Sequence, residues 1–342
     1  MPSTPRRSLL AALLGSATLL VACAQASAPG TAPASAWASR DAALAAALPM
    51  PDAGRYDTHY LEWTDPSRAR AVPAKLYLPA LSAGPVPLVV FSHGIGGSRE
   101  GYTYLGKYWA SQGVASLHLQ HAGSDRSLWT GNPLTLMSRL QDAARESEAM
   151  DRVRDLRIAL DRLLADRLGA RIDSTRIAAA GHSYGANTTL LAAGARVQRG
   201  GEALDLSDPR IRAAVVISAP PFYGETDPQA ILRNVQVPTL HITAMADDIR
   251  IPGYYSGVQD RTAVFASTGS TRKALAVFKD GSHSIFTDRL GTGGAELNPQ
   301  VKVATRELAL GFLRSVWSDQ ADPLETLASR HQALLARFEY QR

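Results

Sequence analysis

The sequence predicts an α/β fold: one domain around a mostly parallel central sheet of about eight strands, with helices on both faces. Two observations predict it. From about residue 88 onward, short apolar runs alternate with stretches of helical periodicity, the pattern of strands buried on both sides and joined by crossover helices. Within that pattern Gly181-His182-Ser183-Tyr184-Gly185 links an apolar run, Ile177–Ala180, directly to an Ala- and Leu-rich helical stretch. The 342 residues, 45% hydrophobic and 20% charged, suit a globular enzyme rather than a disordered, fibrous or membrane-spanning chain. No Pro/Gly/Ser-rich linker divides the middle of the chain, so a single domain over 53–342 is expected.

The N-terminus is set apart. Arg6 and Arg7 precede an apolar run from Leu9 to Ala22, the layout of an export signal over 1–22 and too short to cross a bilayer comfortably. The run ends in Leu20-Val21-Ala22-Cys23, which resembles the lipobox of bacterial lipoproteins. That resemblance implies acylation of Cys23 and a membrane anchor. With Ala24 rather than Asp following, it also implies the periplasmic face of the outer membrane. Ala26-Ser27-Ala28 offers an ordinary cleavage site instead, which would release a periplasmic or secreted protein. Cys23 is the one cysteine of the chain, so the mature domain has neither a disulfide nor a thiol nucleophile. The net charge is +5, but no Lys/Arg block forms a nucleic-acid patch, and no nucleic-acid partner is expected.

Residues 23–52 are dominated by Ala, Ser, Pro and Gly, a composition suited to a flexible tether, with a short helix possible over Asp41–Leu48. Tyr56–Trp63 and Ala71–Leu78, separated by Asp65-Pro66-Ser67, read as an antiparallel hairpin. Further strands are expected at Leu88–Ser92, Ala115–Leu119, Ile177–Ala180, Ala213–Ser218, Thr239–Ala244 and Lys273–Phe278. Helices are expected at Tyr102–Gln112, Met150–Leu168, Ala186–Ala195, Val301–Val316 and Pro323–Phe338.

A Gly-x-Ser-x-Gly turn between strand and helix strains the serine backbone and lifts its hydroxyl clear of the sheet. Helix N–H groups then favour negative charge beside Ser183. A serine hydroxyl needs a base, and imidazole has a suitable pKa. His283 follows the last apolar strand, in a loop at a strand C-terminus where such sheets gather functional groups. The remaining histidines have blander readings: His93 and His182 as packing neighbours of motifs, His118 and His241 within strands, His331 in the tail helix. His118 and His121 do not form a metal pair, because that spacing on a strand sends the rings to opposite faces. A carboxylate must hold the histidine. Asp247 and Asp248 compete after Thr239–Ala244, with Asp247 preferred as nearer the strand end. For the oxyanion, Tyr184 supplies one backbone N–H and the glycine-rich loop after Leu88–Ser92 the other, from Ile95 or alternatively Gly94.

Phe91-Ser92-His93-Gly94-Ile95-Gly96-Gly97-Ser98-Arg99-Glu100, His121-Ala122-Gly123-Ser124-Asp125 and Gly181-His182-Ser183-Tyr184-Gly185 together resemble the bacterial dienelactone-hydrolase-like branch of the α/β-hydrolase superfamily, related to the platelet-activating-factor acetylhydrolases. The resemblance runs from about Tyr77 to Asp288. It implies an α/β-hydrolase fold, a triad of Ser183, Asp247 and His283, and oxyanion donors at Ile95 and Tyr184. Two departures bear on substrate and acid. Dienelactone hydrolases use a cysteine nucleophile where this chain has Ser183. The acetylhydrolases carry their acid one strand earlier, where Val215-Val216-Ile217-Ser218-Ala219-Pro220 offers no carboxylate.

The expected activity is hydrolysis of short-chain acyl or aryl carboxylic esters through an acyl-enzyme, with no metal or organic cofactor. The partner is a small-molecule or lipid ester. Segments Ser124–Arg145, Pro220–Pro228 and Ile249–Gly257 should wall the pocket, with Trp129, Phe222, Tyr223, Tyr254 and Tyr255 as candidate lining residues. A lipase, polyester hydrolase or peptidase on the same scaffold, a cofactor-free haloperoxidase or carbon–carbon hydrolase, and a catalytically inactive lipoprotein remain alternatives.

Overall fold

The computed structural model describes residues 54–251, 253–289, 296–318 and 322–342. The readings of the signal, Cys23, the tether and the helix over Asp41–Leu48 lie outside the described residues. In chain order the strands are β1 (Tyr56–Asp65), β2 (Arg70–Pro79), β3 (Val86–Ser92), β4 (Ala115–Leu119), β5 (Ile172–His182), β6 (Arg196–Arg199), β7 (Glu202–Asp205), β8 (Ile211–Ile217), β9 (Thr239–Ala246), β10 (Ile249–Ile251), β11 (Tyr254–Ser256), β12 (Lys273–Ser282) and β13 (Leu335–Gln341). The helices are α1 (Thr103–Ser111), α2 (Leu136–Ala143), α3 (Glu146–Ala165), α4 (Tyr184–Ala192), α5 (Pro228–Leu232), α6 (Val258–Ser267), α7 (Leu297–Trp317) and α8 (Leu324–Arg330). No described helix is long and apolar enough to cross a membrane.

Nine strands form one sheet in the order β1-β2-β4-β3-β5-β8-β9-β12-β13. Its middle is parallel from β4 through β12, and antiparallel pairs flank it on both sides. The continuous apolar runs follow from this layout, because successive side chains of a central strand enter different cores. Leu88, Val90, Ile177, Ala179 and Val216 meet Val153, Leu156 and Leu160 of α3 and Leu190 of α4. Val89, Phe91, Ala178, Ala180 and Val215 meet Leu105 and Trp109 of α1 and Val301, Leu308 and Phe312 of α7. Each such leucine or phenylalanine taken from water contributes about 1.5–3 kcal/mol.

The eight expected strands form, with ends shifted by a few residues, and the hairpin β1·β2 turns at Asp65, whose side chain accepts from Ser67 N–H at 3.0 Å. The tail corrects the sequence reading. The helix expected over Pro323–Phe338 ends at Arg330, and Leu335–Gln341 becomes the ninth strand, pairing Phe338 with Ala276 and Tyr340 with Ala274. Apolar residues at three- and four-residue spacing continue past α8 and mimic a helix. However, Phe338 and Tyr340 alternate with Arg337 and Glu339, and the edge of β12 offers backbone hydrogen bonds that a period-two segment can take. Helices α2, α5 and α6 and the hairpins β6·β7 and β10·β11 were not anticipated.

The strand C-termini of β5, β9 and β12 gather at one end of the sheet. The described chain enters at the other: Gly54 N–H donates to the carbonyl of Ser111, at the far end of α1, at 3.1 Å.

Candidate active site

Ser183 sits between β5 and α4 with φ 56° and ψ −123°, a backbone conformation that a residue with a side chain adopts only under constraint. Gly181 and Gly185 make the turn possible. A Cβ on Gly181 would lie 2.1 Å from the Gly185 carbonyl oxygen, and one on Gly185 would lie 1.9 Å from that of Ser92. Ser183 N–H donates to Ile217 O at 2.9 Å, tying the elbow to β8.

His283, just past β12, brings its Nε2 to 2.8 Å from Ser183 Oγ, and its Nδ1 lies 2.6 Å from Asp247 Oδ1. A carboxylate can only accept, so Nδ1 carries the proton and Nε2 is free to accept from the serine. Asp247 follows β9 and is fully buried. Its second oxygen, Oδ2, accepts from Ser218 Oγ at 2.5 Å and from Thr243 Oγ1 at 2.7 Å. Burial alone would raise the carboxyl's pKa. The His283 hydrogen bond, the His283 and Arg261 charges and the Ser218 bond outweigh it and hold the group well below the usual carboxylate range. Asp248, next in sequence, turns to solvent and pairs with Arg250 at 2.8 Å. Ser218, at φ 52°, directly follows β8, where the resemblance would have placed an acid; its hydroxyl instead holds Asp247, which follows the next strand.

The glycine loop after β3 rests against the elbow, with Gly94 so close that a Cβ there would lie 3.3 Å from Ser183 Cβ. His93 fixes this loop. Its Nδ1–H donates to Gly94 O at 2.7 Å, while its Nε2 accepts from His121 N–H at 3.1 Å. Gly97 N–H also donates to Gly94 O at 3.0 Å. The carbonyl and N–H of one planar peptide unit point in opposite directions, so clamping Gly94 O fixes the direction of the Ile95 N–H. Among the described residues neither Ile95 N–H nor Tyr184 N–H has a protein acceptor. The fully buried Arg152 supports the loop from below, donating to the His93 carbonyl, to Ser124 Oγ at 2.7 Å and to Thr188 Oγ1 at 2.9 Å. Its guanidinium lies 4.6 Å from the centre of the Tyr184 ring. Burial, with the Arg152 charge alongside, pushes His93 and His121 well below the ordinary imidazole range and keeps both neutral.

His182 joins the glycine loop to His283. Its Nε2–H donates to His283 O at 3.0 Å, its Nδ1 accepts from Tyr102 OH at 2.8 Å, and that hydroxyl accepts from Gly94 N–H at 3.3 Å. Sequence reading treated His93 and His182 as packing neighbours. Both do pack, and both also hold the backbone of a neighbouring loop, a role that no motif spacing announces.

The lining candidates divide. Trp129 is 40% exposed, and its indole N–H donates to Gly96 O at 2.8 Å, which sets the ring on the glycine loop. Tyr223 and Tyr254 meet edge to face at 5.1 Å, with Tyr223 OH donating to Tyr254 O at 3.0 Å. Phe222 is half-buried and packs on the core shared with α3 and α4, whereas Tyr255 is exposed. No group of three or more His, Cys, Asp or Glu side chains among the described residues is arranged to hold a metal.

The family model for platelet-activating factor acetylhydrolase, isoform II, matches residues 71–148, which include the glycine loop. A search of the curated proteins finds no match. Among solved structures the chain is similar to a ferulic acid esterase from Streptomyces cinnamoneus, with a TM-score of 0.61 at 20% identity over 86% of this chain and 98% of that one. At that identity the likeness speaks for the fold alone.

Proposed function

We propose that this chain, an α/β-hydrolase by fold, is a serine hydrolase that cleaves carboxylic esters through an acyl-enzyme. The observation that carries the reading is the unbroken hydrogen-bond chain from Ser183 through His283 to the buried Asp247, built on a strained elbow. Ser183 Oγ attacks the ester carbonyl while His283 Nε2 takes its proton, and Asp247 stabilises the imidazolium that forms. The Ile95 and Tyr184 N–H groups receive the negative oxygen of the tetrahedral intermediate. His283 then returns the proton to the leaving alcohol, and water, activated by the same ring, releases the acid.

Short-chain acyl and aryl esters are the proposed substrates. The half-exposed Trp129 on the glycine loop and the similar structure named for an esterase of the aromatic ferulic acid support the aryl arm. Ser183→Ala should lower hydrolysis of a p-nitrophenyl ester by at least about 10³-fold. A variant that keeps most of the activity would remove Ser183 from the mechanism.

Export and anchoring through Cys23 at the periplasmic face of the outer membrane belong to the same proposal, supported by the run into Leu20-Val21-Ala22-Cys23. Labelled palmitate supplied to an expressing bacterium should enter the wild-type chain and not Cys23→Ala. Label retained by the variant, or absent from both, sinks the anchor.

A further inference from the structure

Arg261, on α6, is 2% exposed, and none of its three side-chain nitrogens has a hydrogen-bond partner among the described residues. A guanidinium carries five N–H donors and cannot shed its charge inside a protein. Burying it without hydrogen bonds is among the costlier arrangements a fold can hold. Beside it lies a cavity of about 10 Å³ bordered by Val216, His241, Thr243 and Leu275, room for a single water molecule. The nearest opposite charge is the carboxylate of Asp247, whose Oδ1 lies 3.6 Å from Nη2. That same oxygen accepts from His283 Nδ1–H.

We propose that Arg261 is a positioning residue of the hydrolytic site: a fixed countercharge, solvated by one trapped water, that keeps Asp247 an anion with Oδ1 turned to His283. The inference rests on the serine-hydrolase reading above. At 3.6 Å in a buried setting the attraction between unit charges is far stronger than at a wet surface. It acts through both halves of the catalytic cycle, whether His283 is neutral or protonated, while the hydrogen bonds from Ser218 and Thr243 fix only the other oxygen.

The groups facing this carboxylate and guanidinium set the sign of the pH effect. They are His283 from the turn after β12, His182 from the end of β5, His241 and Thr243 from β9, Ser218 from the turn after β8 and Tyr223 from the loop before α5. Asp260, on α6 itself, is held by Gly257 N–H. Among these, Arg261 is the permanent cation. With it removed, a protonated His283 is the sole countercharge left to Asp247, so the pair holds its proton more tightly.

Arg261→Met deletes the charge and keeps an apolar body of similar reach. Its kcat on a p-nitrophenyl ester should fall about 10- to 100-fold with KM changed less than about threefold. The acid limb of kcat/KM should move up by about one pH unit. Its thermal midpoint should fall, because the buried Asp247 loses a countercharge. Arg261→Lys, which restores a charge, should recover most of the acid limb. An Arg261→Met enzyme with wild-type kcat and wild-type pH profile overturns the proposal, whatever its melting temperature. If Arg261→Met does not fold, Arg261→Gln decides: an unmoved acid limb overturns the proposal, and an alkaline shift supports it. Failure of the underlying reading shows separately, as a wild-type protein with no ester hydrolysis or a Ser183→Ala variant that retains it.

Discussion

Ser218 carries no charge and belongs to no motif, yet it holds one oxygen of the buried acid from a neighbouring strand. Its hydroxyl donates to Asp247 Oδ2 at 2.5 Å, and Thr243 supplies the other bond to that oxygen. Removing one of two donors to a buried carboxylate costs on the order of 1 kcal/mol. Ser218→Ala is therefore expected to lower kcat by about 3- to 10-fold at constant KM, read from initial rates on a p-nitrophenyl ester. An unchanged kcat would assign the hydroxyl to packing alone. The serine and histidine of the site were legible because a Gly-x-Ser-x-Gly turn and a loop beyond the last strand each leave a local signature. The choice between Asp247 and Asp248 was not settled there, since both lie in the turn after β9, where Asp247 N–H donates back to Ala244 O, and position in the sequence does not say which side chain faces inward. Of the partners that separate them, Thr243 and Arg250 are close in sequence, but Ser218 and His283 come from distant parts of it. Arg261, a lone arginine within a helix, gave no signal at all.

At the scale of elements, the parallel strands were the most readable part of the chain. A strand buried on both faces must be apolar throughout, and β3 is buried at all of its positions. The elbow was equally readable, because only glycine fits where Gly181 meets Gly185 and where Gly185 meets Ser92. The last strand was not, because over a dozen residues an apolar spacing of three and four accommodates either structure, and only the waiting edge of β12 decides between them. Short helices such as α5, with five residues, were invisible for a different reason: they are too short to show periodicity and are held by contacts rather than by propensity. Its start is fixed by Asp227, whose side chain accepts from Ala230 N–H at 3.0 Å.

Across the whole molecule, five imidazoles are folded into the interior. Burial lowers His118, His182 and His241 to about 3 and takes His93 and His121 well below the ordinary value of 6.5. Above about pH 6.5 both the folded and the unfolded chain hold these rings neutral, so they leave stability unchanged. Below it the unfolded chain binds protons that the folded chain cannot accept until about pH 3, and stability falls as the pH falls. At about 1.4 kcal/mol per ring per pH unit, the three rings at about 3 together cost about 6 kcal/mol by pH 5, much of the stability of an ordinary domain. Acid unfolding followed by circular dichroism should have its midpoint between about pH 5 and 4. A chain that stays native to pH 3.5 would contradict that degree of burial.

The bond from Gly54 to the end of α1 places the start of the described chain at the pole opposite Ser183. A bead coupled ahead of Gly54 is thereby joined to the described chain at its base, the end of the sheet away from Ser183.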